Sequence, residues 1–163
     1  MNKLIIFTDG ACKYNGKPYA KAGCGVFYPN KEYSNIAIKF DIKPITNQRA
    51  ELYAIYLALH DKQDNNITIY TDSLYSIKCL TKWMPKWKQN GMRGANNQPI
   101  KNQDILSKLN AILCTKSVVF KHVNSHMTNI NDINQVINDT NINELKYICN
   151  NVADKLANDG LKS

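Results

Sequence analysis

Apolar positions along this chain follow two different periods. Runs of apolar and β-branched residues, such as those at 3–8 and 67–71, are typical of buried strands, whereas apolar residues within 47–60 recur at the spacing of a helix that packs one face on a sheet. The full pattern predicts strands at 3–8, 23–28, 33–40, 67–71 and 117–123, and helices at 47–60, 73–80, 82–90, 102–113 and from about 144 to 158.

The order of these elements predicts the topology. Three strands in succession predict an antiparallel meander, and the helix that follows them predicts a crossover connection, so the remaining strands run parallel. We therefore expect an α/β fold with a mixed five-stranded sheet and helices on both faces. The stretch 124–151 contains nine Asn among its 28 residues, and we expect most of it to be a loop.

The distribution of charge changes this picture by indicating an acidic partner. The net charge is +8, from 21 basic and 13 acidic residues. No acid occurs between Asp72 and Asp104, and that interval holds Lys78, Lys82, Lys86, Lys88, Arg93 and Lys101. A solvated face usually mixes both signs, so this segment favours contact with a polyanion such as nucleic acid.

The cysteines and the hydropathy exclude several classes of protein. The five cysteines are odd in number and lack C-x-x-C spacing, which predicts neither a disulfide framework nor a zinc site. Reduced thiols predict an intracellular, non-secreted protein. No apolar stretch reaches the roughly 18 residues that a membrane span needs, so no membrane partner is expected.

Four acids occupy positions from which they can meet. Asp9 and Asp72 each follow an apolar strand, Glu51 is expected in the first turn of the helix packed on those strands, and Asp154 lies in the last helix. Taken singly, each is explained as a turn residue, a helix cap or a surface acid. Together they predict a carboxylate cluster for Mg²⁺, or Mn²⁺ as a substitute, with two ions about 4 Å apart for phosphodiester hydrolysis.

Six motifs in order make the chain similar to one family. They are Phe7-Thr8-Asp9-Gly10-Ala11-Cys12, Thr46-Asn47-Gln48-Arg49-Ala50-Glu51-Leu52, Tyr70-Thr71-Asp72-Ser73, the basic segment 83–104, His122-Val123-Asn124-Ser125-His126 and the helix 150–157. Over residues 3 to 160 the chain resembles the ribonuclease H type 1 family, and its second motif is closest to the eukaryotic version. The resemblance implies a ribonuclease H-like fold and cleavage of the RNA strand of RNA–DNA hybrids, leaving 5′-phosphate and 3′-hydroxyl ends. It also implies that Asp9, Glu51, Asp72 and Asp154 hold two Mg²⁺ ions and that His126 assists proton movement or product release.

The same resemblance implies contacts to both strands of the hybrid. The RNA minor groove and its 2′-hydroxyls are expected to meet Cys12, Asn15, Asn47 and Gln48. On the DNA strand, Tyr75, Trp83 and Trp87 are expected to pack against deoxyribose. Lys86, Lys88 and Arg93 are expected to contact phosphates of the same strand. Thr46 and Asn102 are expected to form a pocket for a further DNA phosphate. Other interpretations stay open, because Asn15 can be a turn residue, Asn47 a helix cap, and either Trp part of the core.

The chain departs from the family at several positions, two of which bear most directly on the expected site. Pro44 stands where eukaryotic relatives carry the Arg of the phosphate pocket, and Lys43 is a point charge that could substitute for it. The spacing from His126 to Asp154 is 28 residues, against about ten in the family pattern, which predicts an Asn-rich insert at about 128–143 within a single catalytic domain spanning 1–163.

Two other functions fit the same sequence. A different nuclease, or an integrase-like enzyme, could use the same fold, since fold does not fix function. A catalytically impaired module could bind RNA–DNA hybrids without cutting them. The basic Trp-bearing segment argues against the first alternative, and the four acids argue against the second. We expect the protein to act as a monomer.

Overall fold

The computed structural model describes residues 3–124 and 142–163, and it forms one mixed sheet with helices on both faces. The strands are β1 (Leu4–Lys13), β2 (Lys21–Phe27), β3 (Ile36–Phe40), β4 (Asn66–Thr71) and β5 (Ser117–His122). The helices are α1 (Asn47–Leu59), α2 (Leu74–Ile77), a π-helical segment (Lys78–Trp83), α3 (Met84–Gln89), α4 (Gln103–Leu113) and α5 (Ile142–Lys162).

The strand order in the sheet is β3-β2-β1-β4-β5. Strands β1, β2 and β3 pair antiparallel, whereas β1 pairs with β4 and β4 with β5 in parallel. This confirms the predicted meander followed by a crossover. It also places the end of β4 beside the middle of β1 in the centre of the sheet, because Phe7 pairs with Tyr70.

Alternate residues of the central strands supply two cores. Leu4 and Ile6 of β1 lie in the larger core with α1 and α4. Phe7 points to the opposite face, where it stacks on Tyr70 of β4 with ring centroids 4.7 Å apart and packs with Ala153 of α5. The period-2 pattern therefore fixes which face each helix covers.

Helix α5 lies very close to the strands beneath it because glycines remove the side chains between them. A Cβ atom at Gly25 would lie 2.3 Å from the carbonyl oxygen of Ala153, and one at Gly160 would lie 2.3 Å from that of Ile38. This helix was expected to end at about residue 158, but it continues to Lys162. Gly160 lies inside the helix, where it is needed for close packing and not for a C-cap.

Other boundaries also differ from the predicted ones, and two of the differences affect the site. Strand β1 was expected to end at Thr8, but its pairing with β2 continues to Lys13, so Asp9 lies within the strand. The helices expected at 73–80 and 82–90 are joined, because a π-helical turn carries the chain from α2 to α3 without a break. The Asn-rich insert expected at 128–143 lies outside the described residues, except that 142 and 143 belong to α5.

Within 3–124 and 142–163, none of the helices combines the length and the apolar character needed to cross a bilayer.

Replacing Gly25 by Ala should loosen α5 from the sheet. The added Cβ would also lie 2.5 Å from the backbone nitrogen of Ala157, and overpacking of this kind costs at least about 2 kcal/mol of unfolding free energy. Urea unfolding measures the loss. The matched control is Gly94→Ala, whose nearest neighbour would be 3.5 Å away, and it should change stability by less than about 0.5 kcal/mol. Equal stability of the two variants would contradict the close packing.

Candidate active site

Three carboxylates converge at the centre of the sheet. Asp9 lies in β1, Asp72 directly follows β4, and Glu51 reaches them from α1. One carboxylate oxygen from each lies within 4.8 Å of the others. Asp9 and Glu51 are almost completely buried, and Asp72 is half-buried.

The position of Glu51 depends on a close approach between β1 and α1. A Cβ atom at Gly10 would lie 2.6 Å from the backbone nitrogen of Glu51, so only glycine allows the strand and the helix to touch there. The Cys24 thiol secures the same contact from β2 by donating to the carbonyl oxygen of Ala50 at 3.2 Å. Glu51 is the fifth residue of α1, so the expectation that it lies in the first turn is wrong.

Burial and mutual repulsion make this cluster unstable as three anions. Burial, followed by the charges of Glu51 and Asp72, raises the pKa of Asp9 far above its ordinary value. Burial and the charge of Asp72 raise the pKa of Glu51 as well. Burial is also the largest cause that raises the pKa of Asp72. At neutral pH the cluster therefore retains protons unless a cation replaces them.

Asp154 lies at the margin of this cluster. It is exposed on α5 and does not belong to the group of three whose oxygens converge. A hydrogen bond from its side chain nevertheless contributes to the raised pKa of Asp9. Asn158, one turn later, donates to the Oδ1 atom of Asp154 at 3.3 Å. His126 lies outside the described residues.

The residues present fit a hard divalent cation. The Oε2 atom of Glu51 is buried and has no hydrogen-bond partner among the described residues. A buried carboxylate oxygen without a donor is costly, and a cation removes that cost together with the repulsion between the three acids. An all-oxygen donor set is the one that Mg²⁺ and Mn²⁺ prefer.

The sequence comparisons identify the family. The RNase H family model matches residues 1–162. The chain belongs to the ribonuclease H family.

Curated relatives agree with this assignment and show how much of each protein is shared. Ribonuclease H of Schizosaccharomyces pombe is 41% identical over 127 residues, which cover 78% of this chain and 48% of that protein. Ribonuclease H of Clostridium botulinum is 34% identical over 163 residues, which cover 99% of this chain and 97% of that protein. The chain thus spans about half the length of the yeast relative and nearly all of the bacterial one.

Solved structures show the same fold. The PFV RNase H domain, determined in solution, is 25% identical with a TM-score of 0.69 and covers 98% of this chain and 94% of that one. A foamy viral protease-reverse transcriptase in complex with RNA/DNA hybrid is 21% identical with a TM-score of 0.72, covering 96% of this chain and 20% of that one. The ribonuclease H family is metal-dependent, in agreement with the carboxylate cluster.

The residues expected to meet the RNA strand lie where β1 leaves the sheet and α1 begins. The side-chain oxygen of Asn15 accepts from the backbone nitrogen of Asn47 at 3.1 Å, which ties the β1–β2 turn to the helix. The Cys12 thiol lies 3.9 Å from the same oxygen. Gln48 is half-buried in the first turn of α1. The four residues therefore share one surface beside the carboxylates.

The residues expected to meet deoxyribose form an aromatic row. The Tyr75 and Trp83 ring centroids are 6.4 Å apart, and those of Trp83 and Trp87 are 5.8 Å apart. All three rings are half-buried, so each packs on the core and keeps one part accessible. A groove beside the two Trp rings is also lined by Lys86 and Arg93.

The remaining predicted contacts lie on two different surfaces. Thr46 caps α1 and Asn102 immediately precedes α4, and the two are linked through Arg49. Lys88 lies apart from the Trp groove, because its Nζ atom is 3.5 Å from the thiol of Cys114 at the end of α4.

Sequence reasoning missed two residues around the site. His122, named above only as part of a motif, lies close enough to Asp72 to lower its pKa against the effect of burial. Arg49 was noted only as part of a motif, yet it is buried and paired with Asp104. The sequence gives no local signal of this burial, because a charged residue on an amphipathic helix is ordinarily assigned to the solvent face.

Without metal, the protein should lose stability as the pH rises. The raised pKa values of Asp9 and Glu51 mean that the folded state binds more protons than the unfolded state above roughly pH 4, so the unfolding free energy falls between about pH 5 and 8. The expected fall is on the order of a few kcal/mol, at about 1.4 kcal/mol per pKa unit. Urea unfolding with a chelator, at several pH values, measures it.

Asp9→Asn should flatten this pH dependence and stabilise the metal-free protein at neutral pH. The matched control is Asp41→Asn, which removes an exposed acid outside the cluster and should leave the curve unchanged. Addition of Mg²⁺ should raise the stability of the original protein by about 2.7 kcal/mol at a concentration one hundred times Kd. A pH-independent stability in chelator would contradict the buried anionic cluster.

Proposed function

We propose that this chain is an endonuclease that hydrolyses the RNA strand of RNA–DNA hybrids and leaves 5′-phosphate and 3′-hydroxyl ends. The observation that carries the proposal is the convergence of Asp9, Glu51 and Asp72 within 4.8 Å at the end of the central strands. Support comes from the names of the curated relatives and from the foamy viral protein of the same fold that binds an RNA/DNA hybrid.

The proposed cofactor is Mg²⁺, with two ions and with Mn²⁺ as a substitute. Asp9, Glu51 and Asp72 would hold the ions, with Asp154 contributing from the exposed side. Bound there, the ions would activate a water molecule and stabilise the leaving oxygen. The protein's own contribution is to hold the carboxylates in place, since β1, β4 and α1 are rigid elements packed directly on one another. His126 is proposed to assist proton movement or product release.

The proposed substrate surface distinguishes the two strands by their sugars. Cys12, Asn15, Asn47 and Gln48 lie beside the carboxylates, where short polar groups can meet 2′-hydroxyls. The aromatic row leads away from them and offers apolar surface to deoxyribose, which lacks that hydroxyl. Lys86 and Arg93 line the groove beside the row and would contact phosphates without reading sequence.

We further propose that residues 1–163 form a single catalytic domain with an Asn-rich insert, and that the protein is a monomer. An intracellular location is supported by the five cysteines, all of which are free.

The decisive assay uses four end-labelled duplexes. RNA–DNA, RNA–RNA, DNA–DNA and DNA with one ribonucleotide would each be incubated with Mg²⁺, with Mn²⁺ and with chelator. Metal-dependent cutting of the RNA strand in the hybrid alone is expected. Asp72→Asn should bind the hybrid but reduce cutting by at least about 10³-fold, because a carboxylate ligand is lost. Tight binding without cutting by the original protein would favour a hybrid-binding module, and cutting of duplex DNA would favour another nuclease.

The role of the basic segment is tested by the salt dependence of binding. Lys86→Ala should weaken binding of every hybrid sequence alike and reduce the slope of log K against log salt by about 1, because one phosphate contact is lost. Fluorescence anisotropy in the Asp72→Asn background measures binding without cleavage. The control is Lys108→Ala, an exposed lysine of α4 near Tyr56, which should leave the slope unchanged. Identical slopes for both variants would contradict the proposed phosphate contact.

A further inference from the structure

Arg49 is a buried cation that joins three separate parts of the chain. Only 3% of its side chain is exposed. Its Nη1 and Nη2 atoms donate to the two carboxylate oxygens of Asp104 at 2.8 and 2.7 Å, which is the bidentate geometry that only a guanidinium gives. Nη2 also lies 3.4 Å from the carbonyl oxygen of Lys43, in the loop before α1. The side chain thus fixes that loop against the start of α4.

The same guanidinium orients Asn102. Its Nη1 atom donates to Oδ1 of Asn102 at 3.3 Å, and the Nδ2 atom of Asn102 donates to the hydroxyl of Tyr75 at 2.9 Å. With one amide atom engaged on each side, the carboxamide has a single orientation. One N–H of Nδ2 is left over, because an amide nitrogen has two hydrogens and Tyr75 takes only one. The backbone of Asn102 is left-handed, with φ of 63°, so the surrounding contacts must hold it.

These contacts connect the predicted DNA-strand residues in one row. Thr46 accepts from the backbone nitrogen of Arg49 at 3.2 Å, and Asn102 meets its guanidinium. Tyr75 continues the row to the Trp rings. Arg49 and Glu51 are two positions apart on α1, and side chains at this spacing do not face each other. Arg49 can therefore act on the DNA-strand surface without touching the carboxylate cluster.

We propose that Arg49 is a positioning residue for a DNA-strand phosphate, which it serves by fixing Asn102 and Thr46 at a set separation. This inference rests on the proposed function, because it uses the expected contact of Thr46 and Asn102 with a phosphate of the DNA strand. Arg49 does not itself meet the phosphate, since it is buried and neutralised by Asp104. A lysine cannot replace it, because an ammonium lacks the planar fork that holds Asp104 and Asn102 together.

The test is a neutral-phosphate scan. Hybrids carry a single methylphosphonate at successive positions of the DNA strand, and Kd is measured by anisotropy in the Asp72→Asn background. For the parent protein we expect one position at which removing the charge weakens binding by about tenfold, the loss of one well-made charged contact. In Arg49→Lys a methylphosphonate at that position should no longer weaken binding. At the phosphates that Lys86 and Arg93 contact, it should change Kd as much as in the parent protein.

Two further variants separate positioning from simple stability. Tyr75→Phe keeps the ring but removes the hydroxyl that accepts from Asn102. It should therefore reduce the loss of affinity that a methylphosphonate causes at that same position, and this test remains available even if Arg49→Lys fails to fold. Tyr28→Phe removes a different buried hydrogen bond of α1, from the Tyr28 hydroxyl to the carbonyl oxygen of Ala58 at 3.1 Å. It should lower the melting temperature and leave the scan unchanged.

Cleavage kinetics give a second readout. With Asp72 intact, Arg49→Lys should raise KM about tenfold and change kcat by less than about threefold, because the carboxylates are untouched. An unchanged scan in both Arg49→Lys and Tyr75→Phe, with only the melting temperature lowered, would overturn the positioning role. Failure of the proposed function gives a different result, namely no cleavage by the original protein, and the scan in the binding assay still reports on Arg49.

Discussion

The arrangement of the site depends on the direct contact between β1 and α1 at Gly10. Two carboxylates, Asp9 and Glu51, are buried at this contact, and burial together with the charge of the neighbouring carboxylates raises their pKa values. Burial of these two carboxylates costs free energy, and a close-packed interior cannot relax locally to reduce that cost. The strand and the helix can carry this cost because both are anchored by apolar residues on either side, including Leu52 and Ile55 on α1.

The strands and the acids were predictable, because each rests on local signals. Period-2 apolar runs indicated all five strands, and the crossover after the third strand fixed the parallel part of the sheet. The end of β1 was not predictable, since Gly10 and the polar residues after Asp9 resemble a turn. Their pairing with β2 depends on α1 covering Gly10, which is a tertiary effect. The π-helical link between α2 and α3 likewise has no local signal.

Arg49 illustrates the limit of reasoning from sequence. Its helix is amphipathic, and a charged residue in that pattern is most simply assigned to the solvent face. The structure buries it because Asp104 reaches it from α4, 55 positions along the chain. Removing one partner of such a pair leaves an uncompensated charge, so the two residues belong together energetically. Pair contacts across that separation are not visible in a single sequence, whereas Asp9 and Asp72 could be inferred from the apolar runs that precede them.

The position of Asp154 follows from the packing of α5 and does not depend on its distance in sequence from His126. Gly25 and Gly160 bring the helix backbone onto β2 and β3, and the helix also packs on Phe7 and Tyr70 through Ala153. Asp154 is the next residue after Ala153, so its place beside Asp9 is set by contacts within residues 142–163 and the sheet. Additional chain length between β5 and α5 costs only a small closure entropy, which rises with the logarithm of length. The unusual spacing is therefore compatible with an intact carboxylate cluster, because contacts with the sheet hold α5 in place.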